Sequence, residues 1–313
     1  PEFLKEGSAV EDFLRPMRII IGIGPIARRD SAELQPAEAE ALRAQVVARL
    51  RRLYQPVVRT NDRLLICDSR SAELCKYASN AYLAMRVSFI NDIANLCERA
   101  GADVELVRRG MGMDPRIGPN FLFPGMGYGG SCFPKDLRAL GAFAAQHQLE
   151  LPLISATERV NERQRLRLYD KLVQHFAAPA GERPLDGKSI AVWGLSFKPE
   201  TDDVRESPAI YLIDRLLRAG AQVRASDPVA NANAAQALLR LGHQQGLRFF
   251  TNSYEAATGA DALFVCTEWR QFRQPDFRRM RRLLRGAVLF DGRNIWDRDQ
   301  LRELGYTYYG IGR

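Results

Sequence analysis

At 313 residues the chain is longer than one ordinary hydrophobic core organises, so two domains are the starting expectation and a disulfide-stapled mini-protein is excluded. Its 46% hydrophobic, 26% charged and 9% aromatic residues match soluble globular proteins, and no apolar run approaches the ~18 residues that a membrane span needs. A formal charge of +8 favours phosphate-bearing partners, although 39 Arg against 6 Lys shows that much of it is a composition bias.

In chain order, residues 17–23 (MRIIIGI) read as a buried strand and 36–54 as an amphipathic helix with Pro36 at its start. A second short strand over 63–67 leads to Asp68 and Ser71. Residues 72–100 then run without Gly or Pro, predicting a helix that at about 1.5 Å per residue spans about 44 Å, longer than a small domain is wide. Such a helix bridges domains or subunits. A Gly/Pro-rich stretch over 110–134 interrupts the helical pattern, which resumes over 135–148 and 153–177; long loops of this kind tend to be functional. After a turn-rich linker (APAGERPLDG), strands at 189–196, 221–228, 262–269 and 287–294 alternate with helices at 207–219 and 231–241. That alternation predicts a doubly wound parallel sheet with its ligand at the carboxyl ends of the strands. The basic run Arg278–Arg285 (RRMRRLLR) reads as a solvated helix face, since no aromatic residues interleave to stack bases.

Five cysteines, odd in number and without a CxxC pair, indicate a reducing, cytoplasmic compartment and argue against a zinc site; no metal is expected. The three histidines lie outside any cluster, which leaves acid–base chemistry to carboxylates and lysines. Gly22-Ile-Gly24-Pro-Ile-Ala27 follows a strand and superficially matches a dinucleotide turn, but Pro25 removes a backbone N–H and no acidic partner follows at the right distance. Gly194 stands alone where three glycines would be needed, and Asp227 ends the next strand where a ribose-binding acid could sit.

The strongest local signal is Gly127-Tyr-Gly129-Gly130-Ser-Cys132-Phe-Pro-Lys135-Asp136. Glycines let backbone N–H groups and a ligand come close, while Lys135 and the helix beginning near Pro134 both favour a thiolate at Cys132. Lys76 and Asn80, four apart on the long helix, share a face that could hold a developing oxyanion, or be a solvated polar face. Glu2 and Glu6 are also four apart, with Phe3 and Leu4 available to restrict water around them. Lys5, Lys76, Lys135 and Lys198, four of only six lysines, fall in these segments, suggesting that a compact ammonium is required there.

Taken together, PEFLKEGSAVEDFLRP, ELCKYASNAYLAMRVSFINDIANLCERAGADV, DPRIG, GYGGSCFPKD, FKPETDDVRESPA, CTEW and FDGRN resemble the UDP-glucose/GDP-mannose dehydrogenase family, in the right order from Pro1 to about Trp296. The resemblance implies an α/β fold in three parts. Residues 1–68 would be the remnant of an N-terminal Rossmann domain and 69–180 a helical middle domain with the long central dimerisation helix and catalytic cysteine. Residues 181–313 would form a C-terminal Rossmann-like, doubly wound parallel sheet that binds the UDP-sugar. It implies NAD-dependent, four-electron oxidation of a nucleotide-sugar C6 alcohol to a carboxylate, UDP-glucose to UDP-glucuronate, by a homodimer, with neither nucleic acid nor membrane as partner.

By the same resemblance Cys132 is the nucleophile, Lys76 and Asn80 steady the oxyanion, Asp136 orders a water and Glu2 is the base for thioester hydrolysis. Phe3, Leu4, Lys5, Phe121, Leu122, Gly125, Gly129, Lys198 and Arg293 match substrate contacts. Arg116 matches an arginine that reaches the neighbouring subunit's substrate, and Glu6, Lys135 and Arg205 match residues near NAD. Two departures stand out. The family's GxGxxG turn lies in an N-terminal domain of which this chain is expected to hold only the end, so the fragment alone is expected to bind UDP-sugar without turning it over. Phe123 replaces a substrate-facing lysine of some relatives. Alternatives are a GDP-mannose or other nucleotide-sugar dehydrogenase, against which Phe133 after the cysteine leans, or a binding and dimerisation module without turnover. A cysteine hydrolase or nucleic-acid binder would leave the ordered motifs unexplained.

Overall fold

The computed structural model describes residues 9–25, 35–58, 63–176 and 183–313, which form two compact units, 1–80 and 81–313. The proposed base Glu2, the contacts Phe3, Leu4 and Lys5, and Glu6 lie outside the described residues.

In the first unit β1 (Ile19–Ile23) pairs in parallel with β2 (Leu64–Asp68), in register from Ile19 opposite Leu64 to Ile23 opposite Asp68. A short helix, α1 (Ala9–Leu14), precedes them, and α2 (Pro36–Tyr54) connects the strands with the predicted bounds. A capping box between Gln35 and Glu38, with Pro36 at the first turn, sets where α2 starts. No residue of α2 is buried. Gly22 is needed for packing: a Cβ there would lie 2.7 Å from both the Ala72 Cβ and the Ser69 Cα, so this glycine lets β1 approach the helix that follows β2. That helix, α3 (Ser69–Ala100), has 32 residues and begins three earlier than the expected 72–100.

Within the second unit, α4 (Val104–Gly112) is an element the sequence reading missed, although Asp103 caps it by accepting from the Glu105 N–H. Next come the glycine-rich segment, α5 (Phe133–Gln146) and α6 (Pro152–His175). The chain then forms six parallel strands: β3 (Ser189–Trp193), β4 (Gln222–Ser226), β5 (Leu247–Phe249), β6 (Ala262–Val265), β7 (Val288–Asp291) and β8 (Thr307–Tyr309). Their order β5-β4-β3-β6-β7-β8 is that of the doubly wound dinucleotide fold, with its switch point between β3 and β6. Helices α7 (Pro208–Arg218), α8 (Asn231–Arg240), α9 (Ser253–Ala257), α10 (Arg270–Arg273), α11 (Phe277–Leu283) and α12 (Arg298–Glu303) fill the connections. The sequence pattern missed β5 and β8 because three residues are too short to show alternation.

Alternate strand positions feed two apolar layers, as a sheet covered on both faces requires. Ile190, Val192, Phe264 and Phe290 pack with Ile90, Ala94, Leu168 and Leu172 of α3 and α6, while Ala191, Trp193, Leu263, Val265 and Leu289 pack with Phe272, Met280 and Leu301. Phe264, Phe290 and Tyr309 stack across neighbouring strands with centroids 4.5 and 4.8 Å apart. Among the described residues no helix is long and apolar enough to cross a membrane.

Candidate active site

Cys132 is exposed and is the N-cap residue of α5, with Pro134 in the first turn. Lys135 and Asp136 follow in the same turn, the Lys135 Nζ lying 3.0 Å from the Asp136 Oδ1. Asp136 is buried while Lys135 projects to solvent, so the carboxylate is fixed and the ammonium stays accessible.

The loop before Cys132 is held by side chains rather than by sheet or helix bonds. Asn91 of α3 accepts the Gly125 N–H at 2.8 Å, and Gln164 of α6 donates to the Gly125 carbonyl at 2.8 Å. Asn161 grips Tyr128 at both ends, accepting its N–H at 2.8 Å and donating to its carbonyl at 3.1 Å; Arg165 donates to the same carbonyl at 3.2 Å. These amide and guanidinium side chains, with the backbone bonds from Met126 to Gly292 and from Gly130 to Arg205, satisfy backbone groups whose burial would otherwise be costly. The glycines are sterically required. A Cβ at Gly129 would collide with the Glu206 carbonyl oxygen, and one at Gly130 would meet the Phe197 ring at 2.7 Å. Tyr128 and Phe133 pack edge to face at 5.6 Å, and burial pushes the Tyr128 hydroxyl up, so it stays a neutral phenol.

None of Asn91, Asn161, Gln164 and Arg165 was singled out from sequence. Their signal is weak: polar residues at i, i+3 and i+4 on a helix normally mark a wet face, yet Asn161, Gln164 and Arg165 are buried. Arg86 was likewise missed. It donates to the carbonyls of Asn120, Ile117 and Gly118 at 2.9, 2.8 and 2.7 Å, fixing the approach to Phe121 and Leu122. Phe121 itself has φ 61°, a left-handed conformation uncommon for an aromatic residue, and its ring lies 6.2 Å from that of Phe133. Leu122 is buried and Phe123, beside the Arg108 guanidinium at 4.5 Å, is exposed.

At the carboxyl ends of the strands, Arg293 follows β7. Its Nε donates to the Cys266 carbonyl at 2.7 Å, an Nη donates to the Phe197 carbonyl at 3.0 Å, and Glu268 lies 3.1 Å away. Arg293 also packs beside Gly125, since a Cβ on that glycine would come within 3.8 Å of its side chain. The structure thus brings Arg293, Gly125 and the loop leading from β3 to Lys198 together. Arg205 is braced by Asp203, whose carboxylate accepts from its Nε at 2.9 Å and from an Nη at 2.7 Å, leaving most of the guanidinium side chain exposed. The possible ribose-binding role of Asp227 is corrected. That residue is buried, with Oδ2 accepting from the N–H groups of Leu195 and Ser196 and from the Trp269 indole, and Oδ1 from those of Val229 and Ala230. Its acceptor positions organise its own loops.

Lys76 and Asn80 lie one turn apart on α3 in the first unit, Asn80 buried and Lys76 partly so. Arg116 projects to solvent and pairs with Asp114 of its own loop at 2.6 Å, which holds the Asp114 carboxyl below its ordinary value. Among the described residues no group of His, Cys, Asp and Glu could hold a metal ion.

A clamped loop presenting an exposed cysteine, beside a sheet of this strand order with basic residues at its carboxyl edge, places the chain in the class of doubly wound nucleotide-binding folds. Comparison with known proteins makes this particular. Residues 70–163 match the central domain of the UDP-glucose/GDP-mannose dehydrogenase family, and residues 191–298 match that family's UDP binding domain. The chain belongs to the UDP-glucose/GDP-mannose dehydrogenase family. It is 47% identical over 313 residues to a UDP-glucose 6-dehydrogenase of Pseudomonas aeruginosa, covering all of this chain and 64% of that protein. Among solved structures it is similar to a UDP-glucose dehydrogenase from Pyrobaculum islandicum (TM-score 0.79, 33% identity, all of this chain and 62% of that one). A UDP-D-ManNAc dehydrogenase from Pyrococcus horikoshii follows (TM-score 0.76, 25% identity, all of this chain and 64% of that one). The chain therefore spans less than two thirds of the length of each of these proteins.

Proposed function

We propose that this chain is the catalytic-cysteine and UDP-sugar-binding part of a UDP-glucose 6-dehydrogenase, and that its parts divide as 1–68, 69–180 and 181–313. The observation that carries the reading is Cys132, exposed at the start of α5 on a loop whose backbone is fixed by buried side chains of α3 and α6. A soft thiolate adds readily to an aldehyde. Loss of a first hydride from the C6 alcohol gives the aldehyde, thiolate addition at C6 gives a thiohemiacetal, loss of a second hydride gives a thioester, and water then releases the carboxylate and regenerates the thiol. The half-reaction from alcohol to carboxylate consumes one water and gives up two hydrides.

NAD, which the family resemblance implies, accepts hydride when bound. The described residues fit only an edge of its site: Lys135 and Arg205 offer exposed cations suited to a pyrophosphate, but Gly22 is committed to packing against Ala72 and Ser69. No dinucleotide turn is found among the described residues. The chain's own residues hold the sugar. Asp136, fixed in the first turn of α5, orders the hydrolytic water; the roles of Lys76 and Asn80 as oxyanion partners, and of Glu2 as base, follow from family resemblance. Lys198, Arg293, Phe121, Leu122, Gly125 and Gly129 would contact the UDP-sugar.

The homodimer is part of the same proposal. Tyr82, Phe89 and Leu96 recur every seven residues on α3 and are exposed, an apolar stripe that a second copy would cover. The test is an assay of the full-length gene product with NAD and UDP-glucose, UDP-ManNAc or GDP-mannose. Two NADH formed per UDP-glucuronate, with UDP-glucose preferred, is expected; preference for another sugar nucleotide overturns the substrate, and no NADH with any overturns the activity.

A further inference from the structure

Glu206 lies in the FKPETDDVRESPA segment but at none of the positions given a role above, and its carboxylate joins three helices around the cysteine loop. Its backbone is left-handed, with φ 52°, and it directly precedes Ser207, which caps α7. Its carboxylate accepts from Arg138 of α5 at 2.8 Å, from Arg165 of α6 at 3.1 Å and from the Tyr211 hydroxyl of α7 at 2.6 Å. Arg138 also folds back to donate to the Pro134 carbonyl at 3.0 Å, in the turn that Cys132 begins. Arg165 reaches from the same carboxylate to the Tyr128 carbonyl, with its guanidinium over the Tyr211 ring at 4.2 Å. The backbone adds a seat: the Gly130 N–H donates to the Arg205 carbonyl at 2.8 Å, and Gly129 lies against the Glu206 carbonyl. Burial pushes the carboxyl up, but the hydrogen bonds from Tyr211 and Arg138 and the charge of Arg165 outweigh it and keep the group ionised.

We propose that Glu206 is a positioning residue for Cys132, joining the loop that presents the thiol to the 197–207 loop of the nucleotide domain, so that nucleotide seated on the second is felt by the first. This deepens the UDP-sugar reading and rests on it. Two of the elements that Glu206 ties together, α5 and α6, carry or clamp the cysteine loop; the third, α7, starts directly after the loop containing Lys198 and Arg205. A left-handed residue with three charged or hydroxyl donors has one well-defined arrangement, which suits a joint rather than a hinge.

The test uses the 313-residue chain, iodoacetamide alkylation of Cys132 followed by peptide mass spectrometry, and UDP as probe, because UDP lacks the hexose that would cover the thiol directly. In the unsubstituted chain, saturating UDP is expected to change the alkylation rate at least threefold. In Glu206→Ala, UDP should bind within threefold of the unsubstituted affinity by calorimetry, its effect on alkylation should vanish, and the UDP-free rate should differ at least fivefold from that of the unsubstituted chain. Glu206→Gln, whose single amide oxygen can still accept from Tyr211 and Arg165 while its NH2 cannot accept from Arg138, should restore part of the UDP effect; a merely structural role would lower the melting temperature without separating the two. If Glu206→Ala does not fold, Tyr211→Phe should weaken the UDP effect in its place. An unsubstituted chain that does not bind UDP overturns the UDP-sugar reading, and the UDP-free alkylation rates then decide the role of Glu206 by themselves. Alkylation in Glu206→Ala that matches the unsubstituted chain overturns the proposal.

Discussion

Cys132 and Cys266 occupy two regions of the second unit that satisfy their backbones in different ways. Residues 125–130 are clamped by side chains from α3 and α6, and Cys132 stands just beyond, exposed at the start of α5. Cys266 continues β6: its N–H donates to the Trp193 carbonyl, its carbonyl accepts from Arg293, and its thiol is buried among apolar layers. A loop pinned from below by polar side chains can leave a neighbouring side chain outside, whereas an extension of a central parallel strand has both faces covered. Burial pushes the Cys266 thiol up to about 12, so it is a packing residue and not a nucleophile.

That contrast is most exposed to failure in thiol reactivity. At pH 8 a thiol at about 12 is thiolate in roughly one part in ten thousand. Competitive alkylation of the native chain should therefore modify Cys132 more than about a hundredfold faster than Cys266, read by peptide mass spectrometry. Comparable rates would mean that the carboxyl end of the sheet around β6 opens. The second effect concerns the clamped loop: Gly129→Ala places a Cβ against the Glu206 carbonyl and should destabilise by about 3 kcal/mol or more, measured by urea unfolding.

A smaller effect is expected in alkali. Because the folded Cys266 value is raised from 9.0 to about 12, its contribution to stability is full below about pH 9 and is lost as pH rises towards about 12. Buried Tyr128, Tyr306 and Tyr308, also pushed up by burial, act with the same sign. Melting temperature should fall across that window, and Cys266→Ala should lessen the slope. The smallest effect is the converse of the Gly129 result. Gly141 lies inside α5, and beyond its chain neighbours and the helix's own backbone nothing comes within 4 Å of an added Cβ, so Gly141→Ala should stabilise by about 0.5–1 kcal/mol.

The sequence made the doubly wound sheet legible because three of its strands are apolar runs and a fourth, β4, falls in step with their alternation with amphipathic helices. The short strands β5 and β8 were not legible, since their place is set by backbone pairing to β4 and β7 rather than by side-chain pattern. At the candidate site Cys132 was visible through its glycines and through Lys135, chemistry written in consecutive residues. Asn91, Asn161, Gln164, Arg165 and Glu206 were not, because each acts across 33 to 68 residues of chain on a backbone group or charge that only the fold brings near. Asp227 was misjudged for a related reason. A carboxylate at a strand end has the same sequence appearance whether it faces a ribose or, as here, the amides of its own loops.

The central claim is that Cys132 carries the substrate as a thioester. Its most direct test is Cys132→Ser in the full-length protein, assayed with UDP-glucose and NAD for NADH and for UDP-glucuronate. A hydroxyl is a far weaker nucleophile at neutral pH, so carboxylate formation should fall by a factor on the order of 10³ or more. Sustained release of two NADH per sugar nucleotide at near the unsubstituted rate would contradict the account.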